Sequence, residues 1–387
     1  MIWFQLGREY KLSIAEILAV FPKWKNVYLS KDFLILENIK NKDALNNANK
    51  LWWTIKIVEI FNSTTNNNWI SNITDIALES EWKFKYWLSI FWHKKNLREI
   101  LIKQKKELKW NNISSRFINK DFKNLSSAQI IAEKLINKTT DFNYIYTNNN
   151  VYFWRSIWIQ DINAYSKRDY SKDRDMQTGM LPPKLCQMMI NLSGWNIIYD
   201  PFVWLWTVLI EALLIWAKEV YGSDISDKMV EVSSSNLKNF KKSSNIDTVF
   251  QIEKLNSKFI EESGILRDKK IDSIVTEWYL WEIMTRKNIC IDRIDKQKKS
   301  LLELYERFFK WLKKIKYKGN LVICFPFWEM NWKYIYFSEI YSLLWKFCDI
   351  ERLFPKWYEV ETTKSGSLLY KRDKQLVWRE IFKLKIK

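Results

Sequence analysis

Ile198-Tyr199-Asp200-Pro201-Phe202-Val203-Trp204-Leu205-Trp206-Thr207-Val208-Leu209-Ile210-Glu211-Ala212 decides the reading of this chain. An apolar strand ends at Asp200, a short loop follows, and a helix begins near Thr207. Such a loop can close its backbone amides around a ligand when its side chains are small, and the helix amino terminus adds partial positive charge. Indoles at 204 and 206 would fill that space. The chain has 23 tryptophans and only 7 glycines in 387 residues, whereas ordinary usage of about 7 % predicts roughly 27 glycines. The two counts together approach an ordinary glycine allotment. Most of the tryptophans are therefore expected to be glycines in the living protein, as a UGA codon reassigned to glycine but translated as tryptophan would produce. The Lys, Asn and Ile richness fits the AT-rich gene that favours such a codon. The literal alternative is a Trp-rich protein that stacks bases or sugars.

Other tryptophans also stand where chain geometry asks for glycine. Trp216 ends the apolar helical run Leu213-Leu214-Ile215, just before the strand-like Glu219-Val220-Tyr221, and a helix stop there wants a residue that tolerates positive φ. Trp345 follows Ser342-Leu343-Leu344 in the same way. Trp52-Trp53, read as Gly-Gly, becomes a turn before Thr54-Ile55-Lys56-Ile57.

The composition bounds the function class. An apolar content of 47 % supports real cores, and the length suggests two or three domains. No 18-residue apolar stretch predicts a membrane span. The amino terminus lacks a signal-peptide layout, so a cytoplasmic protein is expected. Cys186, Cys290, Cys324 and Cys348 have no pairing or metal spacing and read as buried thiols in a reducing compartment. A single histidine, His93, cannot build a His-rich metal site or a Ser-His-Asp triad, so no metal is expected. The net charge of +19 favours a polyanion, most simply nucleic acid, or is a solubilising charge in a Lys-rich proteome.

Along the chain, Ile2–Leu6 reads as a strand. Ser13-Ile14-Ala15-Glu16 reads as a capping box opening a helix through Phe21. Val27–Leu29 and Phe33–Glu37 read as a hairpin, and Thr54–Phe61 as a further strand. Residues 62–68 are polar and low in complexity, a linker by composition. Phe84–Phe91 reads as a strand, Lys94–Lys109 as a basic helix, Ser114–Ile118 as strand-like and Ser127–Ile136 as helical. Lys94, Lys95, Arg98, Lys103, Lys105, Lys106 and Arg116 can track a phosphate backbone, or form a solvated helix face. From Asp161 the pattern becomes alternating apolar strands (197–199, 219–221, 271–275, 321–325) and helices, the signature of a mostly parallel α/β sheet.

The loop after Asp200 is shorter than a GxGxxG fingerprint and lacks the lysine of a P-loop. Tyr221-Gly222-Ser223-Asp224-Ile225 then places an acid at the end of the next strand, where it can accept hydrogen bonds from two ribose hydroxyls or simply cap a helix. Asp200–Ala212 together with Asp224 resembles the S-adenosylmethionine (AdoMet) site of class I methyltransferases. The stretches Tyr165-Ser166-Lys167-Arg168-Asp169-Tyr170, Arg174-Asp175 and Gly179-Met180-Leu181-Pro182-Pro183-Lys184-Leu185 are similar to one branch of them, the THUMP-domain tRNA guanine-N2 methyltransferases of the guanine-10 type. Leu51–Lys56 and Ser126-Ser127-Ala128 also resemble that family's amino-terminal region.

The resemblance implies a ferredoxin-like module (1–62), a THUMP-like RNA-binding domain (63–155) and a linker with a Rossmann-like class I methyltransferase domain (156–387). It implies a cofactor site from Asp200, Pro201, Phe202, Trp204, Trp206, Thr207, Glu211, Asp224 and Ile225. Met180 and Pro182 would line its adenosine side, or the two prolines simply open a helix. Ile274-Val275-Thr276-Glu277-Trp278-Tyr279-Leu280-Trp281 stands where the family carries an (Asn/Asp)-Pro-Pro-Tyr motif. Glu277 would take the acid's role, Tyr279 the stacking role, and Trp278 lies between them. Both prolines are absent and the spacing is one residue short. The implied partner is tRNA. A DNA amino-methyltransferase, or an RNA-binding protein whose catalytic domain has decayed, would share much of this pattern.

Overall fold

The structure is a computed structural model. It describes every residue except 23, 61, 65–68, 81–82, 93–96, 119–120, 139, 148–150, 163–180, 195, 205, 278–283, 356–357, 359 and 373–374. The chain divides into two compact units, Met1–Ile17 with Phe21–Lys172, and Leu18–Val20 with Asp173–Lys387.

In the first unit, β1 (Ile2–Leu6), a helix (Tyr10–Val20), β2 (Lys25–Leu29), β3 (Phe33–Glu37), a helix (Asn41–Ala48) and β4 (Thr54–Glu59) follow one another. Their sheet order is β2-β3-β1-β4, and β1 is antiparallel to both β3 and β4. This is the ferredoxin-like β-α-β-β-α-β topology. The sheet continues through β9 (Val151–Ile159), β8 (Asp141–Tyr146), β6 (Phe84–Phe91) and β7 (Ser115–Phe117). β6 runs parallel to both β7 and β8.

Two sequence expectations change here. Ser13-Ile14-Ala15-Glu16 lies inside the helix rather than at its start. The Ser13 hydroxyl donates to the Trp53 carbonyl (2.9 Å), and Glu16 Oε2 accepts the N–H groups of Trp52 and Trp53 (2.8 and 3.0 Å). The pattern that resembles a cap is a buried clamp on the 52–53 bend, because its partners lie 36 to 40 residues away. The polar run after residue 61 opens as a strand, β5 (Asn62–Thr64), paired with β9; its remainder lies outside the described residues.

The second unit is built on β10 (Ile197–Asp200), β11 (Glu219–Asp224), β12 (Val249–Lys254), β13 (Ser273–Glu277) and β14 (Asn320–Met330), all parallel, in the order β12-β11-β10-β13-β14. The sheet is extended by β18 (Val377–Ile386), antiparallel to β14, and then by β16 (Cys348–Ile350). β15 (Lys333–Ile335) returns on β14, and β17 (Leu368–Tyr370) pairs with β18. This is a Rossmann-like, class I methyltransferase-type sheet, so the chain is α/β with an α+β amino-terminal region. The helix Ile291–Lys314 buries Ile294, Leu301, Leu304, Tyr305, Phe308 and Leu312 against the sheet. The three- and four-residue spacing of these side chains makes one apolar stripe. Three of the cysteines are buried as expected, but Cys290, just ahead of that helix, is exposed. Among the described residues no helix is long and apolar enough to cross a membrane.

Backbone conformation sorts the tryptophans. Twelve described non-glycine residues have positive φ, and five of them are tryptophan: Trp92, Trp204, Trp206, Trp216 and Trp332. Only a few per cent of non-glycine residues adopt such angles, and bulky ones rarely. Trp216 (φ 69°) occupies the left-handed position after the helix Thr207–Leu214. Its N–H bonds the Leu213 carbonyl, and the next N–H, of Ala217, bonds that of Ala212. This is a Schellman closure, whose left-handed residue is usually glycine. Asn331 and Trp332 (φ 52° and 63°) form the two-residue turn joining Met330 to its partner Lys333, the place where Asn-Gly is favoured. Trp345 differs from expectation. It lies inside the helix Glu339–Phe347, which continues past it to Phe347. Trp328 is fully buried and donates its indole N–H to Gln297 (3.1 Å), which is how a native indole is accommodated.

Trp216→Gly should therefore stabilise the fold by about 1 kcal/mol, because a left-handed non-glycine residue costs roughly 1–2 kcal/mol and the Trp216 side chain is 72 % exposed. Trp345→Gly, on a helix, should instead lower stability by up to about 1 kcal/mol. Thermal melts of the two variants check both signs.

Candidate active site

Three acids end three neighbouring parallel strands: Asp224 on β11, Asp200 on β10 and Glu277 on β13. The strand order reverses between β10 and β13, the switch point where open α/β sheets bind ligands at their carboxyl ends.

The loop after Asp200 is held from both sides. Asp200 is buried, and its Oδ1 accepts the Phe202 N–H (3.0 Å) and the Thr276 hydroxyl (2.7 Å). The Val203 N–H donates to the Ser223 carbonyl (3.0 Å), and the Ser223 hydroxyl donates to the Pro201 carbonyl (3.3 Å). Asp224 Oδ2 accepts the Trp204 N–H (3.0 Å), while its Oδ1 accepts the Ser226 N–H (2.9 Å). The Ser233 hydroxyl reaches the Trp204 carbonyl (3.3 Å). Trp206 (φ 52°) caps the helix Thr207–Leu214, and its N–H bonds the Val203 carbonyl (2.7 Å). The loop lies so close to β11 that a Cβ on Gly222 would meet Val203 Cγ2 at 2.2 Å. Thr207 and Glu211 are buried on the following helix, and Ile225, next to Asp224, is 61 % exposed.

At the end of β13, Glu277 Oε1 accepts a short charged hydrogen bond from Arg379 Nε of β18. Burial raises the Glu277 carboxyl, and the Arg379 guanidinium pulls it back. Burial also raises Asp200, from an ordinary 3.8 to about 7, with the bonds from Thr276 and Phe202 acting the other way.

Sequence reading named Asp200, Asp224, Glu277 and the loop, which the structure places at the carboxyl ends of neighbouring strands. It missed Ser223, Thr276, Ser233 and Arg379. Ser223 and Thr276 adjoin the two motif acids and carried that signal, whereas Arg379 lies 102 residues beyond Glu277 and no local pattern marks it. Pro182 is the residue before the helix Pro183–Ser193, which has proline in its first turn as the helix-start alternative requires. Met180, Trp278, Tyr279, Trp281 and the 165–175 stretch lie outside the described residues.

In the first unit, Arg98, Lys103, Lys105 and Lys106 are exposed on the helix Leu97–Trp110, whose opposite side buries Ile100, Leu101, Gln104 and Leu108. Arg98 lies over the Phe122 ring and Lys105 over that of Phe117 (5.5 and 5.4 Å), and Arg116 is exposed on β7. Lys94 and Lys95 lie outside the described residues.

The backbone offers acceptors and amides that suit a nucleoside ligand. Each Asp224 oxygen retains accepting capacity beside the one amide it holds, and the loop amides and helix amino terminus surround the same place. The side chains at 204 and 206 do not suit it, since two indoles stand on the loop whose amides such a ligand would approach, and Trp206 is buried.

No family model matches the chain, and no curated protein matches it. Among solved structures, TrmN from Thermus thermophilus covers all of both chains at 12 % identity with a TM-score of 0.48. A possible methylase from Clostridium difficile 630 covers 100 % of this chain and 98 % of its own at 10 % identity, with a TM-score of 0.49. A predicted N6-adenine-specific DNA methylase from Listeria monocytogenes covers 99 % and 95 % at 10 % identity, with a TM-score of 0.41.

Asp200 also gives the fold a pH dependence. Between about 4 and about 7 the folded chain holds a proton on Asp200 that the unfolded chain has released, so this group's contribution to stability falls as pH rises through that window. Asp200→Asn keeps the acceptor for Phe202 and Thr276 and should flatten that fall, as read from melting temperatures across the window.

Proposed function

We propose that this chain is an AdoMet-dependent RNA methyltransferase that methylates the N2 amine of a guanine in tRNA, with glycines at 204 and 206 in the living protein. The observation that carries the reading is the convergence of Asp224, Asp200 and Glu277 at one sheet edge, around a loop with left-handed residues at 204 and 206. Without side chains there, the loop keeps its conformation and vacates the space the indoles occupy.

AdoMet supplies a methyl group on a sulfonium leaving group. The chain's part is to bind and orient. Asp224 accepts the ribose hydroxyls, and Ile225, Met180 and Pro182 flank the adenine. Pro201, Phe202 and residues 204 and 206 wall the loop. Thr207 and Glu211 place the helix amino terminus behind it. Glu277 accepts an N–H of the substrate amine, turning its lone pair toward the methyl group, and most of the acceleration comes from that orientation. The same carboxylate receives the proton that the amine sheds. Tyr279 stacks on the extruded base, beside Trp278.

RNA is favoured over DNA by the first unit. The exposed cations Arg98, Lys103, Lys105, Lys106 and Arg116, with Lys94 and Lys95, would contact a tRNA backbone, and such recognition depends on shape and phosphates. The net charge of +19 supports a polyanionic partner. The second reading, a DNA amino-methyltransferase, shares the acid at the end of β13.

The chain carrying Trp204→Gly and Trp206→Gly should bind AdoMet and transfer labelled methyl to tRNA and not to duplex DNA, while the chain as written binds no AdoMet. Glu277→Ala in the glycine-bearing chain should abolish transfer with AdoMet affinity nearly unchanged. Transfer to duplex DNA alone would establish the second reading, and AdoMet binding without any turnover would indicate a decayed enzyme. Neutralising Lys103, Lys105 and Lys106 together should weaken tRNA binding and reduce the slope of log affinity against log salt by roughly 2–3, about 0.7–0.9 per phosphate contact. An unchanged slope would place that helix outside the RNA path.

A further inference from the structure

We infer that Arg379 is the positioning residue of this site, tying one oxygen of Glu277 so that the other oxygen is the acceptor for the substrate amine. The inference rests on the proposed function for the use made of that acceptor, and not for the pairing itself.

Three observations carry it. First, the pairing is built across the sheet. Glu277 lies opposite Cys324 of β14, and Arg379 of β18 lies opposite Pro326 of the same strand. The guanidinium therefore spans β14 to reach the end of β13. Second, both partners are out of water, with side-chain exposures of 2 % for Arg379 and 12 % for Glu277. A carboxyl buried without a partner takes up a proton, and a guanidinium beside it reverses that. Third, the bonding is asymmetric. Arg379 Nε donates to Glu277 Oε1, Nη1 donates to Gln375 Oε1 (3.3 Å), and among the described residues Glu277 Oε2 has no hydrogen-bond partner. A planar fork fixed at two points sets the rotation of the carboxylate it holds. The motif has no proline to stiffen it, and the guanidinium supplies that stiffness from another strand.

Among the described residues, the groups facing this pair are Asp200 on β10, Cys324 on β14, Tyr305 on the helix Ile291–Lys314 and Tyr370 on β17. None of them carries positive charge, so among the described residues Arg379 is the cation that acts on Glu277. Removing it leaves burial to act unopposed, and burial pushes the Glu277 carboxyl upward.

The test is a carboxyl titration of the full chain labelled with carbon-13 in glutamate, the Glu277 signal being the one absent from Glu277→Gln. Arg379→Met should move its midpoint up by roughly 1–3 pH units, the span an adjacent opposite charge controls. Arg379→Lys, which keeps a charge and guards against a Met variant that does not fold, should move it upward by less. In the glycine-bearing chain, Arg379→Lys should shift the acid limb of methyl transfer upward in pH with AdoMet affinity unchanged. Midpoints unmoved in the variants that fold would overturn the assignment. A glycine-bearing chain that transfers no methyl would sink the proposed function, while the titration still decides the role of Arg379.

Discussion

The carboxylate of Asp224 is the point on which the site depends. Its two oxygens take one amide from the loop at Trp204 and one from the start of the next helix at Ser226. Those bonds hold the backbone left-handed at 204 while Ser223 fixes the strand side of the same loop. The geometry brings the loop against β11 so tightly that position 222 has no room for a Cβ. A loop held this way keeps its backbone amides and the helix amino terminus at one place, as the proposed nucleoside site requires. These bonds run through the backbone and the acids, and this is how the loop holds its course with indoles at 204 and 206.

That distinction has an energetic side. Two left-handed tryptophans cost roughly 1–2 kcal/mol each, a noticeable share of the roughly 5–15 kcal/mol that separates folded from unfolded chains. Glycine removes the strain and widens the site at once. The same coincidence occurs at Trp216 and at the Asn331-Trp332 turn, where no ligand is involved. The proposed recoding of one codon would account for all of these positions, whereas selection for base stacking would account for none of the turns.

Much of the fold was legible because it is written in short-range patterns. Ile2–Leu6 and Phe84–Phe91 are strands with the bounds their apolar runs give, and the parallel core of the second unit follows from runs ending at Asp200, Asp224 and Glu277. The misreadings share one origin, a local pattern whose partners are remote. Ser13 and Glu16 look like a cap and instead grip residues 52 and 53. Trp345 looks like a helix stop, but the helix continues to Phe347, and Lys387 donates to the Trp345 carbonyl. Residues 62–64 look like linker and become a strand because β9 offers an edge. Arg379 was invisible for the same reason, since only the insertion of β18 beside β14 brings it to Glu277.

The chemistry assigned to this sheet edge depends on what stands at two positions of one loop. Mass spectrometry of the protein isolated from the organism that encodes it reads them directly, in the tryptic peptide Leu185–Lys218, which also contains residue 216. The account predicts glycine at 204, 206 and 216. Tryptophan at 204 and 206 in that native peptide would contradict it.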